Sequence, residues 1–299
     1  MRRAPGNVVW RSRSVERSLD IVPLREPPVI AEPTPEAAEL SDRAPARIER
    51  DGPLATIVID HPPLNLFGEA LTSALARAVE EVERSDARGL LIRAEGKVFT
   101  GGADVHGFEG LTPARASETF HQGLEIIHRL EGLPIPTLSA VHALCLTAGF
   151  ELSLGCDLIW AAESAEFGLV EAVVGLTPAW GGTQRIAERA GPARARELVM
   201  TGALYDAATL ERWNVVNRVL PDGELLAKAT EFAKTLASGP TRAHAATKAV
   251  VRAYLEGGSR EADRRIGELA GPLFSSEDLQ NAVESFFAKG PGKATFAGR

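Results

Sequence analysis

The chain has 299 residues, of which 44% are hydrophobic and 24% are charged, and its formal net charge at pH 7 is −7. These fractions are typical of an ordinary globular protein, and the length allows a large buried core. The acidic balance argues against a nucleic-acid partner, since proteins that bind phosphate backbones usually carry a basic field.

The N-terminal region has the composition of a disordered tail. The segment Arg25–Glu36 contains four prolines and no sustained apolar period, so burial there cannot offset the entropy lost on ordering it. We therefore predict a disordered tail over residues 1–46. No apolar signal region follows the first residues, which favours a cytoplasmic protein; a mitochondrial-matrix address encoded by the arginine-rich start is the alternative.

Folded sequence is predicted to begin near Arg47 with alternating strands and helices. Runs of β-branched and apolar residues predict strands at 54–60, 89–94, 98–99, 136–141 and 157–162. Helical periodicity predicts helices over 65–85 and 113–130, and a short helix that starts near Ala148 and carries Glu151. In the first of these helices one side is apolar, with Leu71, Leu75, Val79 and Val82.

The second half of the chain is predicted to be mainly helical. From Thr183 onward the only strand-like stretch is 215–220. The fold class is therefore mixed α/β, with a folded core over residues 47–240 and a C-terminal helical region over residues 241–299. No apolar run reaches the roughly 20 residues that span a bilayer, so no membrane contact is expected. Cys145 and Cys156 are interpreted as buried free thiols.

Two glutamates provide the first indication of chemistry. Glu151 and Glu171 both lie in apolar segments that contain glycine. Surface glutamates would be unremarkable, but two carboxyl groups buried close together split their proton affinities. One then stays ionised as a base and the other is more readily protonated as an acid, which suits proton transfer near an activated carbonyl.

A glycine-rich turn upstream could stabilise negative charge on a carbonyl oxygen. In Gly101-Gly102-Ala103-Asp104, small residues would let the Ala103 N–H approach a ligand. Ala148 would supply a second N–H at the start of a helix, where the helix dipole favours an anion. Asp104 would orient this turn or simply cap it.

Three segments resemble the crotonase superfamily, and within it the enoyl-CoA hydratases. They are Phe99–Val105, Ala140–Asp157, and Phe167–Glu171 continued by Gly175–Arg185. The resemblance covers roughly residues 48–299, with the three motifs in the family's order. In place of three glycines that the family often carries, this chain has Thr147, Ala148 and Gly149.

The resemblance implies a spiral of ββα units with a C-terminal helical region used in trimer contacts, and hence a homotrimer or a hexamer built as a dimer of trimers. It implies a coenzyme A thioester as substrate, with no metal and no further cofactor. In the family, glutamates at the positions of Glu151 and Glu171 bind the water and move its protons. The N–H groups of Ala103 and Ala148 correspond to its oxyanion hole. The expected substrate-contacting residues are Gly102, Asp104, Gly149 and Trp180. For Trp180 the alternative is an ordinary packing role in the core.

The sequence therefore predicts an enoyl-CoA hydratase of the kind used in fatty acid β-oxidation. A double-bond isomerase of the same superfamily is the first alternative, since it can work with one carboxylate, most often at the position of Glu171. A non-catalytic acyl-CoA-binding or scaffold homologue is the second.

Overall fold

This computed structural model describes residues 44–299, so the predicted tail over residues 1–46 lies almost entirely outside the described residues. The first strand begins at Ala46, one residue before the predicted start of folded sequence. Within the described residues, no helix is both long and apolar enough to cross a bilayer.

The larger of two sheets has six strands. Their bounds are β1 Ala46–Asp51, β2 Leu54–Ile59, β3 Gly89–Ala94, β4 Thr137–Val141, β6 Leu158–Ala162 and β9 Arg218–Leu220. The strand order is β1-β2-β3-β4-β6-β9. β1 pairs antiparallel with β2, and the other neighbours are parallel. The parallel strands are nearly continuous apolar runs because such sheets are buried on both faces.

The smaller sheet positions the candidate site. It consists of β5 Leu144–Leu146, β7 Glu166–Gly168 and β8 Tyr205–Asp206. β5 is parallel to β7, with Leu146 opposite Gly168, and β7 is antiparallel to β8. The carboxyl ends of parallel strands meet at one edge, so the segments that follow Leu146 and Gly168 start side by side.

Ten α-helices lie between residues 44 and 299. Their bounds are α1 Glu69–Arg84, α2 Pro113–Gly132, α3 Thr147–Leu154, α4 Gly182–Ala190, α5 Pro192–Thr201, α6 Ala207–Arg212, α7 Asp222–Ala237, α8 Thr241–Gly257, α9 Ser259–Ala270 and α10 Glu277–Lys289. Short 3₁₀ turns cover Val105–Phe108, Glu171–Val174 and Gly271–Ser275. Residues 241–299 thus carry the last three helices, where a helical region was predicted.

Most of the predicted elements are confirmed. The strands predicted at 54–60, 89–94, 136–141 and 157–162 are present within one residue at each end. The apolar side of α1 is buried as predicted. The strand predicted at 215–220 is reduced to β9, and β1, β5, β7 and β8 were not predicted, because strands of this kind are short or carry charged residues.

The strand predicted at Val98–Phe99 is wrong, and Asn65 explains why. The Nδ2 amide of Asn65 lies 2.9, 3.1 and 3.2 Å from the carbonyl oxygens of Glu95, Val98 and Phe99. These contacts curve residues 95–99 into a loop instead of a ladder. Asn65 itself has φ 51°, a left-handed conformation that asparagine tolerates, and this delays the start of α1 beyond the predicted residue 65.

Helix α3 approaches the next turn closely because residue 149 is glycine. A Cβ built on Gly149 would lie 2.0 Å from Thr100 Cγ2. Thr100 is fully buried; its Oγ1 donates to the Asn65 carbonyl at 2.9 Å and accepts from the Gly102 N–H at 2.8 Å. The glycine therefore lets α3 contact the segment that the sequence analysis singled out as an anion-binding turn.

We expect Gly149→Ala to lower the free energy of unfolding by about 1–3 kcal/mol, because the added methyl group overpacks the contact with Thr100. The matched control is Gly223→Ala in α7, where an added Cβ meets no heavy atom within 4 Å. Urea denaturation of both variants gives the comparison. Equal midpoints for the two variants would show that the close approach of α3 is not needed.

Candidate active site

Three chain segments converge at the carboxyl edge of the smaller sheet. After β5 the chain enters α3, which carries Ala148 and Glu151, and after β7 it reaches Glu171. A parallel bridge between Thr100 and Cys145 places the glycine-rich turn beside β5. The rings of Phe150 and Phe167 pack 5.0 Å apart and hold the residues next to Glu151 against β7. The topology therefore brings the predicted acid–base and oxyanion segments together.

Glu151 is a buried carboxylate anchored by main-chain donors. Its side chain lies on α3 and is 2% exposed. Its Oε1 accepts hydrogen bonds from the backbone N–H groups of Trp180 and Gly182, both at 2.8 Å. Burial raises the pKa of Glu151, and these two N–H donors together with the positive charge of Arg185 counteract that rise. Glu151 is thus the carboxyl group that the protein equips to carry a negative charge.

Glu171 has the opposite environment. It begins a 3₁₀ turn and is 8% exposed. Its Oε2 is buried and has no hydrogen-bond partner among residues 44–299. Burial raises the pKa of Glu171, and the negative charge of Glu151 raises it further. The two groups titrate as a pair, in which Glu171 retains the proton when Glu151 is ionised.

An ion pair between buried Arg185 and partly exposed Glu131, which the sequence did not reveal, fixes the anchor of Glu151. Arg185 of α4 is 6% exposed. Its Nε and Nη2 each donate to a different carboxylate oxygen of Glu131 in α2 at 2.7 Å, and its Nη1 donates to the Gly181 carbonyl at 3.1 Å. These contacts hold the start of α4, which presents the Gly182 N–H. The partners are 54 residues apart, so spacing gave no signal of their contact.

The glycine-rich turn depends on the conformation of Gly102. Gly102 adopts φ 97°, a conformation in which glycine is strongly favoured. Asp104 caps the 3₁₀ turn that follows it, accepting from the His106 N–H at 3.1 Å and contacting His106 Nδ1 at 2.8 Å. Capping was one of the two roles considered for Asp104. A direct contact with substrate stays a prediction for Gly102 and Asp104 alike.

The Ala103 N–H has a protein partner. It donates to the Oγ1 of Thr147, the first residue of α3, at 2.7 Å. Thr147 has φ 45°, and a β-branched residue with such a φ is uncommon. Ala148 follows with 4% exposure, and no side chain caps the start of α3. The oxyanion role of both N–H groups stays a prediction. The threonine in a position where glycine was expected is the sequence signal that could have revealed the contact.

Trp180 contributes to the site through its backbone. Its ring is 7% exposed and packs edge-on against Phe67, with ring centroids 5.6 Å apart. A Cβ built on Gly123 of α2 would lie 1.9 Å from Trp180 Cε2, so the ring sits directly on that helix. The Trp180 N–H holds Glu151, a role the sequence did not indicate. That the Trp180 side chain lines an acyl pocket stays a prediction.

The thiol groups of the two cysteines take no part in this arrangement. Cys145 and Cys156 are free and buried, as predicted. Burial raises the pKa of both thiols, which disfavours the reactive thiolate. In the part of the chain that the structure describes, no group of three or more His, Cys, Asp or Glu side chains is placed to hold a metal ion.

Comparison with known proteins gives consistent matches. The family model described as enoyl-CoA hydratase/isomerase matches residues 49–298. A protein of Mycobacterium bovis named a probable enoyl-CoA hydratase is 31% identical over 244 residues, which cover 81% of this chain and 94% of that protein. A crotonyl-CoA hydratase of Syntrophomonas wolfei is 30% identical over 248 residues, with 81% and 94% covered.

Solved structures agree with these relatives. The crystal structure of an enoyl-CoA hydratase from Bacillus anthracis superposes with a TM-score of 0.80 at 25% identity, covering 85% of this chain and 100% of that one. The likeness confirms the predicted crotonase-like α/β fold with C-terminal helices. The use of those helices in trimer contacts stays a prediction.

We expect Glu171→Gln to stabilise the protein increasingly as the pH rises above the ordinary pKa of a glutamate. The folded state raises the pKa of Glu171 above the ordinary 4.5, so this group's contribution to stability is full below the unfolded pKa. It is lost as pH rises through the folded pKa. The melting temperatures of wild type and variant should be similar near pH 5, and the variant's should be higher by about 3 °C or more near pH 9.

Glu81→Gln on the exposed side of α1 is the matched control for this comparison. It should leave the melting temperature close to wild type at both pH values. If Glu171→Gln has the same melting temperature as the wild type near pH 9, burial and the charge of Glu151 do not raise the pKa of Glu171 as described.

Proposed function

The chain belongs to the enoyl-CoA hydratase/isomerase family, and we propose that it catalyses the reversible syn addition of water to a 2-trans-enoyl-CoA, giving a 3-hydroxyacyl-CoA. The observation that carries this proposal is the pair of buried carboxyl groups with unlike environments. Glu151 accepts two backbone N–H bonds, whereas Glu171 has a buried oxygen with no partner among the described residues. Hydration needs one ionised and one protonated group, which is the state this asymmetry favours.

Glu151 is assigned the role of general base. Its Oε1 is held by the Trp180 and Gly182 N–H groups, which leaves Oε2 to accept a proton from water. The water oxygen then forms a bond to the β-carbon of the enoyl group, and the electron pair of the double bond moves toward the thioester carbonyl. A carboxylate fixed by main-chain donors can do this without reorganising, because both donors belong to rigid backbone.

Glu171 is assigned the role of general acid. Its proton goes to the α-carbon as the negative charge on the thioester oxygen collapses. One proton therefore leaves the water for Glu151 and one leaves Glu171 for the substrate, so the sum of the step is the addition of one water. The pair returns to its starting state when the next water relays a proton between the two carboxyl groups.

The negative charge on the thioester oxygen needs donors at the carboxyl edge of the smaller sheet. The Ala148 N–H stands at the start of α3, where the helix dipole favours an anion. The turn at Ala103 forms the other side of this position. Coenzyme A enters as part of the substrate, and the proposed reaction uses no metal or redox cofactor. Gly102, Asp104, Gly149 and Trp180 shape the site around this oxygen.

We also propose that the C-terminal helices mediate subunit contacts in a homotrimer or hexamer. These helices and the 3₁₀ turn Gly271–Ser275 expose large apolar side chains that a monomer would leave in water: Val251, Tyr254, Leu255, Ile266, Phe274, Val283, Phe286 and Phe287. A concentration of large exposed apolar side chains within residues 251–287 favours an interaction site in this region.

Crotonyl-CoA is expected to lose its enoyl absorbance on incubation with the wild-type protein. Glu151→Gln and Glu171→Gln should each lower kcat by about 10²–10⁴-fold, since general acid and general base catalysis each contribute this much. The absorbance assay and chromatography of the 3-hydroxyacyl product measure both effects.

The same variants separate the alternatives. An isomerase would shift the double bond of a 3-enoyl-CoA, would leave crotonyl-CoA unchanged and would depend on Glu171 more than on Glu151. A binding or scaffold homologue would show no turnover that either substitution changes. Either result would remove the hydratase proposal.

The pH profile of kcat/KM is expected to be bell-shaped and displaced to alkaline values. The base must be ionised and burial raises the pKa of Glu151, so activity rises as pH increases through that pKa. The acid must be protonated and burial together with Glu151 raises the pKa of Glu171, so activity falls at higher pH. Activity that persists unchanged down to pH 4.5, the ordinary pKa of a glutamate, would contradict this assignment.

A further inference from the structure

The hydroxyl group of Thr147 occupies a defined position between the two main-chain segments of the site. Its side chain is 8% exposed. Its Oγ1 accepts the Ala103 N–H at 2.7 Å and lies so near the Gly102 backbone that a Cβ there would be 2.2 Å from it. The glycine turn and the first residue of α3 are therefore packed around this one oxygen atom.

The hydroxyl proton of Thr147 makes no hydrogen bond within residues 44–299. A threonine hydroxyl can donate one hydrogen bond and accept two. Thr147 Oγ1 accepts from Ala103, and among residues 44–299 it donates to no acceptor. A buried donor without a partner costs free energy, and the residue also adopts φ 45° despite its branched side chain. Both costs are concentrated at one residue of the candidate site, which is the pattern expected of a functional group.

We infer that the Thr147 hydroxyl, positioned by the Ala103 N–H, donates its proton to the thioester oxygen beside the Ala148 N–H. This inference rests on the proposed thioester substrate. Accepting a bond from the Ala103 N–H polarises the O–H group and strengthens it as a donor. The N–H fixes the oxygen, so the donor is oriented before substrate arrives and no reorganisation accompanies the reaction. The adjacent Ala148 N–H supplies the second hydrogen bond.

The competing arrangement is a hydroxyl that rotates away. In that case the thioester oxygen would take the place of Thr147 Oγ1 and accept directly from Ala103. Such a movement would break a 2.7 Å bond in a site with little exposure, and it would leave the hydroxyl oxygen needing a new donor. Substitutions at position 147 give opposite results for the two arrangements.

The test uses butyryl-CoA labelled with ¹³C at the thioester carbonyl, because this saturated thioester has no double bond to hydrate. Its carbonyl stretch, read by infrared difference spectroscopy of the bound complex, falls as hydrogen-bond donors polarise the carbonyl. Thr147→Val keeps the branched shape and removes only the hydroxyl. We expect the bound stretch to rise in Thr147→Val and in Thr147→Gly relative to wild type, and Thr147→Ser to recover the lower frequency.

Two spectroscopic outcomes would overturn the inference. The first is a Thr147→Val complex with the wild-type frequency. The second is a Thr147→Gly complex with a frequency equal to or below the wild type, which would mean that the carbonyl reaches the Ala103 N–H once the side chain is gone. Circular dichroism and thermal unfolding verify that each variant is folded, and the serine variant shows whether the branched methyl group matters.

Steady-state kinetics give the second readout. Loss of one oxyanion donor lowers kcat by about 100-fold or more, so Thr147→Val should lose kcat with little change in KM, and Thr147→Ser should recover most of it. If crotonyl-CoA is not hydrated by the wild type but the stretch depends on Thr147, the hydratase proposal fails and the hydroxyl assignment stands. If butyryl-CoA shows no polarised carbonyl in the wild type, the assignment of Thr147 fails.

Discussion

The site depends on one constraint, the burial of the Glu151 carboxylate against two backbone N–H groups. These donors come from Trp180, which precedes α4, and from Gly182, its first residue. Arg185 fixes this segment through its contacts with Glu131 and Gly181. The parallel pairing of β5 with β7 then sets the position of Glu171, which follows β7, relative to α3, which follows β5. Sheet register and helix anchoring together place two carboxyl groups where they influence each other's protonation.

Much of the fold and part of the site follow from local sequence. The apolar strands of the larger sheet and the buried side of α1 follow from short-range sequence patterns. For this reason the predicted bounds of those strands agree with the structure within one residue. The two glutamates were recognisable because a carboxyl group in an apolar, glycine-containing segment is costly without a purpose. Their environments were not recognisable, since the donors to Glu151 come from residues 29 and 31 positions away.

The wrongly predicted strand at Val98–Phe99 and the unpredicted contact of Thr147 share one physical cause. Asn65 curves residues 95–99 by contacts with carbonyl groups 30 or more positions along the chain, and this overrides the strand propensity of Val98 and Phe99. Thr147 meets Ala103 across 44 positions. Both are single side chains that satisfy distant main-chain groups, and neither composition nor periodicity encodes which groups they reach.

Helix α2 is attached twice to the segment that anchors Glu151. The ring of Trp180 packs against Gly123, and Arg185 forms an ion pair with Glu131 near the C-terminal end of the same helix. The position of α2 therefore affects the segment that holds Glu151, although α2 itself carries neither of the two glutamates. A ligand or neighbouring subunit that tilted α2 would weaken the hydrogen bonds from Trp180 and Gly182 to Glu151 together. Binding at the surface of the molecule would then change the pKa of Glu151.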